Sequence, residues 1–139
     1  MDANEIVEIL ASFSLFADLS RADLQAVSHT FEEESFAEGQ RILRQGFSGT
    51  GFYVILQGEA AVVIDGRDQL RLARGDFFGE ISILLGEPPN ADVTALTPLI
   101  CIVLPGNQLT EWLAAKPMVT LRMLQAEVRR LRATSRWRS

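Results

Sequence analysis

Residues 75–95 read GDFFGEISILLGEPPNADVTA, and the interpretation of the whole chain depends on this stretch. Gly75 and Asp76 predict a turn that ends a strand, and residues 79–82 predict the first turn of a short helix. A helix N-terminus presents unpaired backbone N–H groups and the positive end of the helix dipole, so it favours an anion. The stretch nevertheless contains four acidic residues and neither lysine nor arginine.

Short segments on both sides of this stretch, from about residue 30 to residue 104, alternate apolar and polar side chains with a period of two, which predicts strands. The predicted strands are residues 41–44, 52–57, 60–64, 70–73, 91–95 and 99–104. Glycines between them supply turns. Many short strands separated by glycine turns are typical of a sandwich or a jelly-roll barrel.

Helices are predicted before the strands. Asp2 with Glu5, and Ser20 with Asp23, have the spacing of N-terminal capping boxes. The segment FSLFADLS at residues 13–20 lies between these helices and is too apolar to remain in water. We expect it to cover the end of a neighbouring sheet.

Helices are also predicted after the strands. Gly106-Asn107 predicts the cap of one helix, and Pro117 suits the first turn of the next. In that last helix, apolar residues recur at spacings of 3, 4 and 3, as in the seam of a coiled coil: Leu121, Leu124, Val128 and Leu131. This stripe predicts either a homodimer contact or packing against the parent barrel.

Composition indicates one folded domain. The 139 residues are 47% apolar and 22% charged, as in a globular protein. We expect N-terminal helices in residues 1–29, the β-region in 30–104, helices in 105–133 and a basic tail in 134–139. No apolar run approaches the roughly 20 residues of a membrane span, so no membrane contact is expected. A single cysteine excludes an internal disulfide, and a cytoplasmic location is expected.

Charge is distributed unevenly along the chain. The net charge is −5, but residues 1–128 carry −10 and the last eleven residues carry +5. An acidic body disfavours broad binding to nucleic acid, whose phosphates reward clustered cations. The terminal arginines are suited to contact with nucleic acid or an acidic partner, but the favoured prediction is a solvated helix end: Arg129, Arg130, Arg132, Arg136 and Arg138.

No combination of residues indicates catalysis. The only histidine, His29, is predicted to be a polar surface residue, and Cys101 lies among apolar neighbours that predict a core position. A metal site in a small β-barrel would normally need several histidines, so no metal is expected. The sequence predicts a protein that is not an enzyme.

From about residue 13 to residue 131, the chain resembles the cyclic nucleotide-binding domains of catabolite activator-type regulators, protein kinase A regulatory subunits and gated channels. The matching segments are LFADLS, FAEGQRILRQG, GFYVILQGEA, GDFFGEISILLGEP and ADVTALTPL, in the family's order and spacing. The resemblance implies a mainly β fold, in which an eight-stranded, jelly-roll-like β-roll is flanked by N-terminal helices and a C-terminal helix pair. It also implies cAMP or cGMP as the ligand inside the roll, with no other cofactor.

The resemblance assigns a phosphate-binding cassette that begins at Gly79. Glu80 would bind the ribose 2′-hydroxyl, and the backbone amides of Ile81 and Ser82 would face the cyclic phosphate. Asn90 could donate a neutral hydrogen bond next to Ala91, at the end of the same cassette.

Two positions depart from the family's pattern. The family places an arginine where this chain has Pro89, and a serine or threonine where it has Asp92. Loss of a charge-assisted contact costs about 1.5–3 kcal/mol, or roughly ten- to hundred-fold in affinity. Asp92 is expected to add repulsion of about 1–4 kcal/mol at 4 Å.

Three hypotheses about function therefore stay open. The first is a regulatory domain with weak or lost cAMP and cGMP binding. The second is a working sensor that uses Glu80 and the cassette amides. The third is a pseudo-sensor that acts as a dimerisation or interaction module. Only eight residues follow Leu131, so no helix-turn-helix for reading DNA is expected within this chain.

Overall fold

The computed structural model describes residues 1–47 and 51–135. The chain begins with α1 (Ala3–Ala11), a short 3₁₀ turn (Ser14–Phe16) and α2 (Arg21–Thr30). The strands are β1 (Glu32–Phe36), β2 (Arg41–Leu43), β3 (Gly51–Gln57), β4 (Ala60–Ile64), β5 (Arg67–Leu72), β6 (Phe77–Phe78), β7 (Asp92–Ala95) and β8 (Leu99–Pro105). The remaining helices are α3 (Glu80–Leu85), α4 (Gly106–Ala114) and α5 (Pro117–Ser135).

The eight strands of the described residues form two antiparallel four-stranded sheets. One sheet has the order β1-β8-β3-β6 and the other the order β2-β7-β4-β5. This arrangement, with helices before and after the strands, confirms the predicted mainly β roll with flanking helices. The short helix α3 connects the two sheets, because it follows β6 of the first and precedes β7 of the second.

Periodicity did not predict β1 and β6. Strand β1 has the sequence EEESF, in which the first four residues are exposed, so it has no apolar alternation. Its place at the edge of a sheet explains the glutamates, since charged side chains on edge strands oppose pairing with other chains. Strand β6 contains only two residues, which is too short for any period to be recognised.

Strand β3 separates two apolar cores. Phe52, Val54 and Leu56 pack with the helices on the outer face of the sheet, whereas Tyr53 and Ile55 face the interior of the roll. Because both faces are covered, the strand is a continuous apolar run instead of an alternating one.

The segment at residues 13–20 packs differently from the prediction. Phe13, Leu15 and Phe16 are buried in the outer core together with Phe52 and Val54 of β3. The segment therefore covers the outer face of the sheet and not its end. Helices α1, α2 and α5 supply the other side of the same core.

Two of the three predicted helix caps are present. The carboxylate of Asp2 accepts a hydrogen bond from the Glu5 N–H at 2.8 Å, and Ser20 and Asp23 form a reciprocal capping box. The cap predicted at Gly106-Asn107 is wrong. Helix α4 begins at Gly106 with Pro105 before it and no side-chain cap, so Asn107 lies within the helix, where its side chain does not cap the first turn.

Helix α5 has one anchored face and one exposed face. Val119 and Met123 are buried in the outer core, and Arg122 makes two hydrogen bonds to the Asp18 carboxylate, at 2.8 and 3.2 Å. The predicted coiled-coil residues lie on the exposed face, with exposed fractions of 42% for Leu121, 58% for Leu124, 55% for Val128 and 60% for Leu131. The helix continues to Ser135, and Arg136 and Arg138 of the predicted tail lie outside the described residues.

Candidate functional site

A cavity of about 550 Å³ opens at one side of the roll. The sheet that contains β4 and β5 supplies an apolar wall, and α3, the loop before β7 and the last turns of α5 supply the rest. The apolar wall consists of Leu43, Val62, Ile64, Leu70, Leu72 and Val93, with Gln69 among them. A cavity of this size and character is typical of sites for small organic ligands.

Gly79 sets the position of α3 at the edge of this cavity. Its φ of 94° is unfavourable for any residue with a Cβ, and a Cβ there would overlap the carbonyl oxygen of Gly51 on β3. Immediately before it, the Phe78 ring stacks on the Tyr53 ring at 4.7 Å between centroids. Close contact with β3 therefore directs the start of α3 into the cavity.

The predicted cassette residues come together around the cavity. Gly79, Glu80, Ile81 and Ser82 line it from the start of α3, and Pro89, Asn90 and Ala91 line it from the loop before β7. Glu80 is only 1% exposed, although it is charged in water. A buried carboxylate needs partners, so its neighbours decide the chemistry of the site.

The partners of Glu80 come from α5. Arg130 donates from Nη1 to the Glu80 carboxylate at 3.5 Å and, from the same nitrogen, to the Glu127 carboxylate at 3.3 Å. Burial raises the pKa of Glu80 well above that of an exposed glutamate, and the neighbouring Glu127 raises it further. The positive charge of Arg130 acts in the opposite direction and is outweighed.

Arg130 is fixed by further contacts. Its Nη2 donates to the Phe77 carbonyl oxygen at 2.7 Å, and the guanidinium lies 4.3 Å from the centre of the Phe77 ring. Its side chain is 20% exposed, so the prediction of a solvated helix end is wrong at this position. Arg130 follows Met123 by seven residues and Ala126 by four, and both of these pack in the outer core. Because residues at these spacings share a helix face, the sequence could have indicated that Arg130 points inward.

Asp92 does not take the position that was predicted. Ala91 and Val93 line the cavity and Asp92 does not, because successive side chains of an extended chain, here at the start of β7, point to opposite faces. The Asp92 carboxylate accepts a hydrogen bond from the Gln45 N–H at 2.7 Å and lies 3.8 Å from Nε of Arg41. Direct repulsion between Asp92 and a ligand in the cavity is therefore not supported.

Pro89 does line the cavity, and its surroundings are fixed by the loop after β2. The Pro89 carbonyl oxygen accepts a hydrogen bond from the Gly46 N–H at 2.9 Å. A proline has neither a side-chain donor nor a backbone N–H. Position 89 therefore supplies no hydrogen-bond donor to the cavity.

The remaining reactive residues lie elsewhere. His29 is exposed near the end of α2, as predicted. Cys101 is fully buried, as predicted, and burial, with a smaller effect of Glu34, raises the pKa of its thiol to about 12. Within residues 1–47 and 51–135, no group of three or more His, Cys, Asp and Glu is placed to hold a metal ion. In the same residues, no helix has both the length and the apolar character needed to cross a membrane.

Comparison with known proteins identifies what this arrangement is similar to. The family model for the cyclic nucleotide-binding domain matches residues 33–116. A cGMP-dependent protein kinase from Eimeria tenella is 34% identical over 95 residues, which are 68% of this chain and 10% of that protein. A CRP-like cAMP-activated global transcriptional regulator from Mycobacterium tuberculosis is 28% identical over 133 residues, 92% of this chain and 59% of that one. The chain thus spans from about a tenth to somewhat over half of the length of these relatives.

Two solved structures illustrate the similarity of fold. The regulatory domain of Toxoplasma gondii protein kinase A with cAMP has a TM-score of 0.75 and 23% identity, covering 90% of this chain and 49% of that one. The regulatory subunit of a cAMP-independent protein kinase A from Trypanosoma cruzi, bound to guanosine, also has a TM-score of 0.75 and 23% identity, covering 86% of this chain and 44% of that one. Both share the β-roll.

Proposed function

The chain belongs to the cyclic nucleotide-binding domain family, and we propose that it is a non-catalytic regulatory domain whose affinity for cAMP and cGMP is weak or lost. In this proposal the cavity beside Glu80 is the ligand site. Gly79, Glu80 and the backbone amides of Ile81 and Ser82 form its polar side, and the sheet with β4 and β5 receives the base. A cytoplasmic location remains a prediction.

The observation that carries the proposal is the lining at position 89. Pro89 faces the cavity where the family's pattern has an arginine, and it brings no donor. Arg130 is the one cationic residue among the described residues that line the cavity, and it is already bonded to Glu80, Glu127 and Phe77. Loss of a charge-assisted contact to the phosphate lowers the affinity for a cyclic nucleotide roughly ten- to hundred-fold.

A working cyclic nucleotide sensor is the alternative within the same site. Its support is that Gly79, Glu80, Ile81 and Ser82 all line the cavity, and that the similar Toxoplasma gondii domain contains cAMP. The Trypanosoma cruzi protein, described as cAMP-independent and bound to guanosine, supports the view that this fold also accepts a ligand without a phosphate.

A dimerisation module is a second candidate, and the exposed stripe on α5 favours it. Leu121, Leu124, Val128 and Leu131 leave a continuous apolar face in water, and such a face is typical of a helix that pairs with another. Because Leu131 also lines the cavity, a partner helix would lie close to the ligand site.

The test is titration calorimetry with cAMP and cGMP on the parent protein and on Pro89→Arg. We expect weak or undetectable binding by the parent and binding at least about tenfold tighter by the variant, because the guanidinium supplies the missing charge. Pro88→Arg is the matched control, since Pro88 is exposed and does not line the cavity.

Two results would contradict the proposal. Tight binding of cAMP or cGMP by the parent protein would show that the cavity compensates for the proline. Equal affinity in the parent and in Pro89→Arg would show that charge at this position does not limit binding.

A further inference from the structure

We propose that the cavity selects an uncharged nucleoside over its cyclic phosphate, and that Glu127 is the residue responsible for this selection. The inference rests on the proposed function, because it assigns a ligand class to the same site. The proposed function predicts only that binding of cyclic nucleotides is weak or lost, whereas this inference also predicts that the cavity prefers a nucleoside.

The first argument is the balance of charge around the cavity. Two carboxylates, Glu80 and Glu127, face a single guanidinium, that of Arg130, and both lie within 3.5 Å of the same nitrogen atom. Arg130 is therefore shared between two acids before any ligand arrives. A ligand phosphate would have to compete with both, and it would face a like charge at Glu127.

The second argument is the hydrogen-bonding character of the polar side. A carboxylate accepts hydrogen bonds, and a carboxyl group that holds a proton also donates one, so both forms suit the hydroxyl groups of a sugar. Glu80 is almost completely buried, and Glu127, which also lines the cavity, has 27% of its side chain exposed. A ribose with two hydroxyl groups directed to this pair would be bound without bringing a second anion.

The third argument is the neutral character of the wall where a phosphate would lie. Pro89 and Ala91 present apolar surface there, and Asn90 contributes an uncharged amide. A hydroxymethyl group, which a nucleoside carries in place of the phosphate, can lie against such a wall at little cost. The apolar residues of β4 and β5 then leave room for the flat base.

The role of Glu127 can be tested separately from that of the cassette residues. Glu80 occupies the position to which the family's pattern assigns ribose binding, whereas Glu127 comes from α5, outside the matched residues 33–116. Replacing Glu127 leaves Glu80 and Arg130 as a single pair. The guanidinium would then be less neutralised and more attractive to an anion.

The experiment compares four ligands, namely adenosine, guanosine, cAMP and cGMP, by titration calorimetry on the parent protein and on Glu127→Gln. We expect the parent to bind one of the two nucleosides at least tenfold tighter than the corresponding cyclic phosphate. In Glu127→Gln we expect this ratio to fall at least fivefold, mainly through tighter binding of the cyclic phosphate. Glu111→Gln, on the exposed side of α4, is the matched control and should keep the ratio of the parent.

The outcomes separate this inference from the proposed function. Binding of cyclic phosphates equal to or tighter than that of nucleosides in the parent protein overturns the inference. If the parent binds no nucleoside while Pro89→Arg binds cAMP or cGMP, the inference fails and the proposed function stands. If neither protein binds any of the four ligands, both fail. An unchanged ratio in a folded Glu127→Gln, and in Glu127→Ala should the first variant not fold, overturns the role of Glu127.

Discussion

Arg130 of α5 and Glu80 of α3 lie fifty positions apart in the chain, and their side chains meet at 3.5 Å at the cavity that both residues line. The contact joins the C-terminal helix to the segment that begins the candidate cassette. It is reinforced by the hydrogen bond from Arg130 to the Phe77 carbonyl oxygen. Any movement of this end of α5 must therefore alter the environment of Glu80.

Arg130→Met should destabilise the fold, because it leaves Glu80 buried without its cationic partner. Breaking a buried ion pair costs about 3–5 kcal/mol, and we expect the lower end here since Glu80 can take up a proton. Urea unfolding followed by circular dichroism measures the change. Arg129→Met, at the exposed neighbouring position, is the control, and an equal loss in both variants would contradict the assigned role of Arg130.

Glu80 should make the stability depend on pH. Its pKa is raised in the folded state by burial and then by Glu127, against the opposing charge of Arg130. The stability that it contributes is therefore complete below the pKa of the unfolded chain and is lost as pH rises through the folded value. Glu80→Gln imitates the neutral acid and should reduce this loss.

The measurement is the free energy of unfolding of the parent and of Glu80→Gln at about pH 5 and about pH 8. The difference between the two proteins should shift in favour of the variant at the higher pH. Glu111→Gln should follow the parent at both values. A constant difference between the parent and Glu80→Gln would refute the assignment.

Gly79→Ala should destabilise the fold more than the same change at a glycine with open surroundings. Both Gly79 (φ 94°) and Gly39 (φ 83°) have left-handed backbones, so alanine carries a similar backbone cost of about 1–2 kcal/mol at each. Only at Gly79 does the added Cβ meet a neighbouring carbonyl oxygen, that of Gly51. We expect a further loss of about 1–3 kcal/mol by urea unfolding. Equal losses at the two positions would show that the contact with Gly51 is unimportant.

Asp92→Ala should weaken the fold and leave ligand affinity unchanged. The Gln45 N–H loses its charged acceptor, which costs about 1–2 kcal/mol at a partly exposed position. In the Pro89→Arg background, cAMP affinity should stay the same, because Asp92 faces away from the cavity. Calorimetry with cAMP on Pro89→Arg and on Pro89→Arg with Asp92→Ala checks the affinity. For the stability measurement, Asp68→Ala at an exposed position of β5 is the control. A marked gain in cAMP affinity would show that Asp92 does repel the ligand, as the sequence analysis expected.

The stripe on α5 should control self-association. Leu124→Glu combined with Val128→Glu places charges on an exposed face, so it should abolish a dimer while the monomer keeps its fold. Sedimentation velocity measures the oligomeric state, and Gln125→Glu on the same helix is the control. A parent protein that remains monomeric at every concentration tested would argue against the dimerisation module.

Local sequence patterns determined much of this protein. Short apolar runs separated by glycine turns indicated the strands β2 to β5, β7 and β8, and the resemblance to the family implied the roll and the cassette at Gly79. The resemblance marked Pro89 as a departure before the structure was known, and its consequence was predictable because a proline lacks a donor in any surroundings. These features depend on neighbouring residues, so a linear reading is sufficient for them.

The tertiary structure alone decided which charged side chains line the cavity. Asp92 looked like part of the cavity, but the pairing of β7 within its sheet turns the carboxylate towards Gln45. Arg130 looked like part of a solvated tail, but the packing of α5 on the outer core brings it to Glu80 and Phe77. The direction and burial of a charge depend on elements distant in the chain, and these meet only after the two sheets and the last helix have packed together.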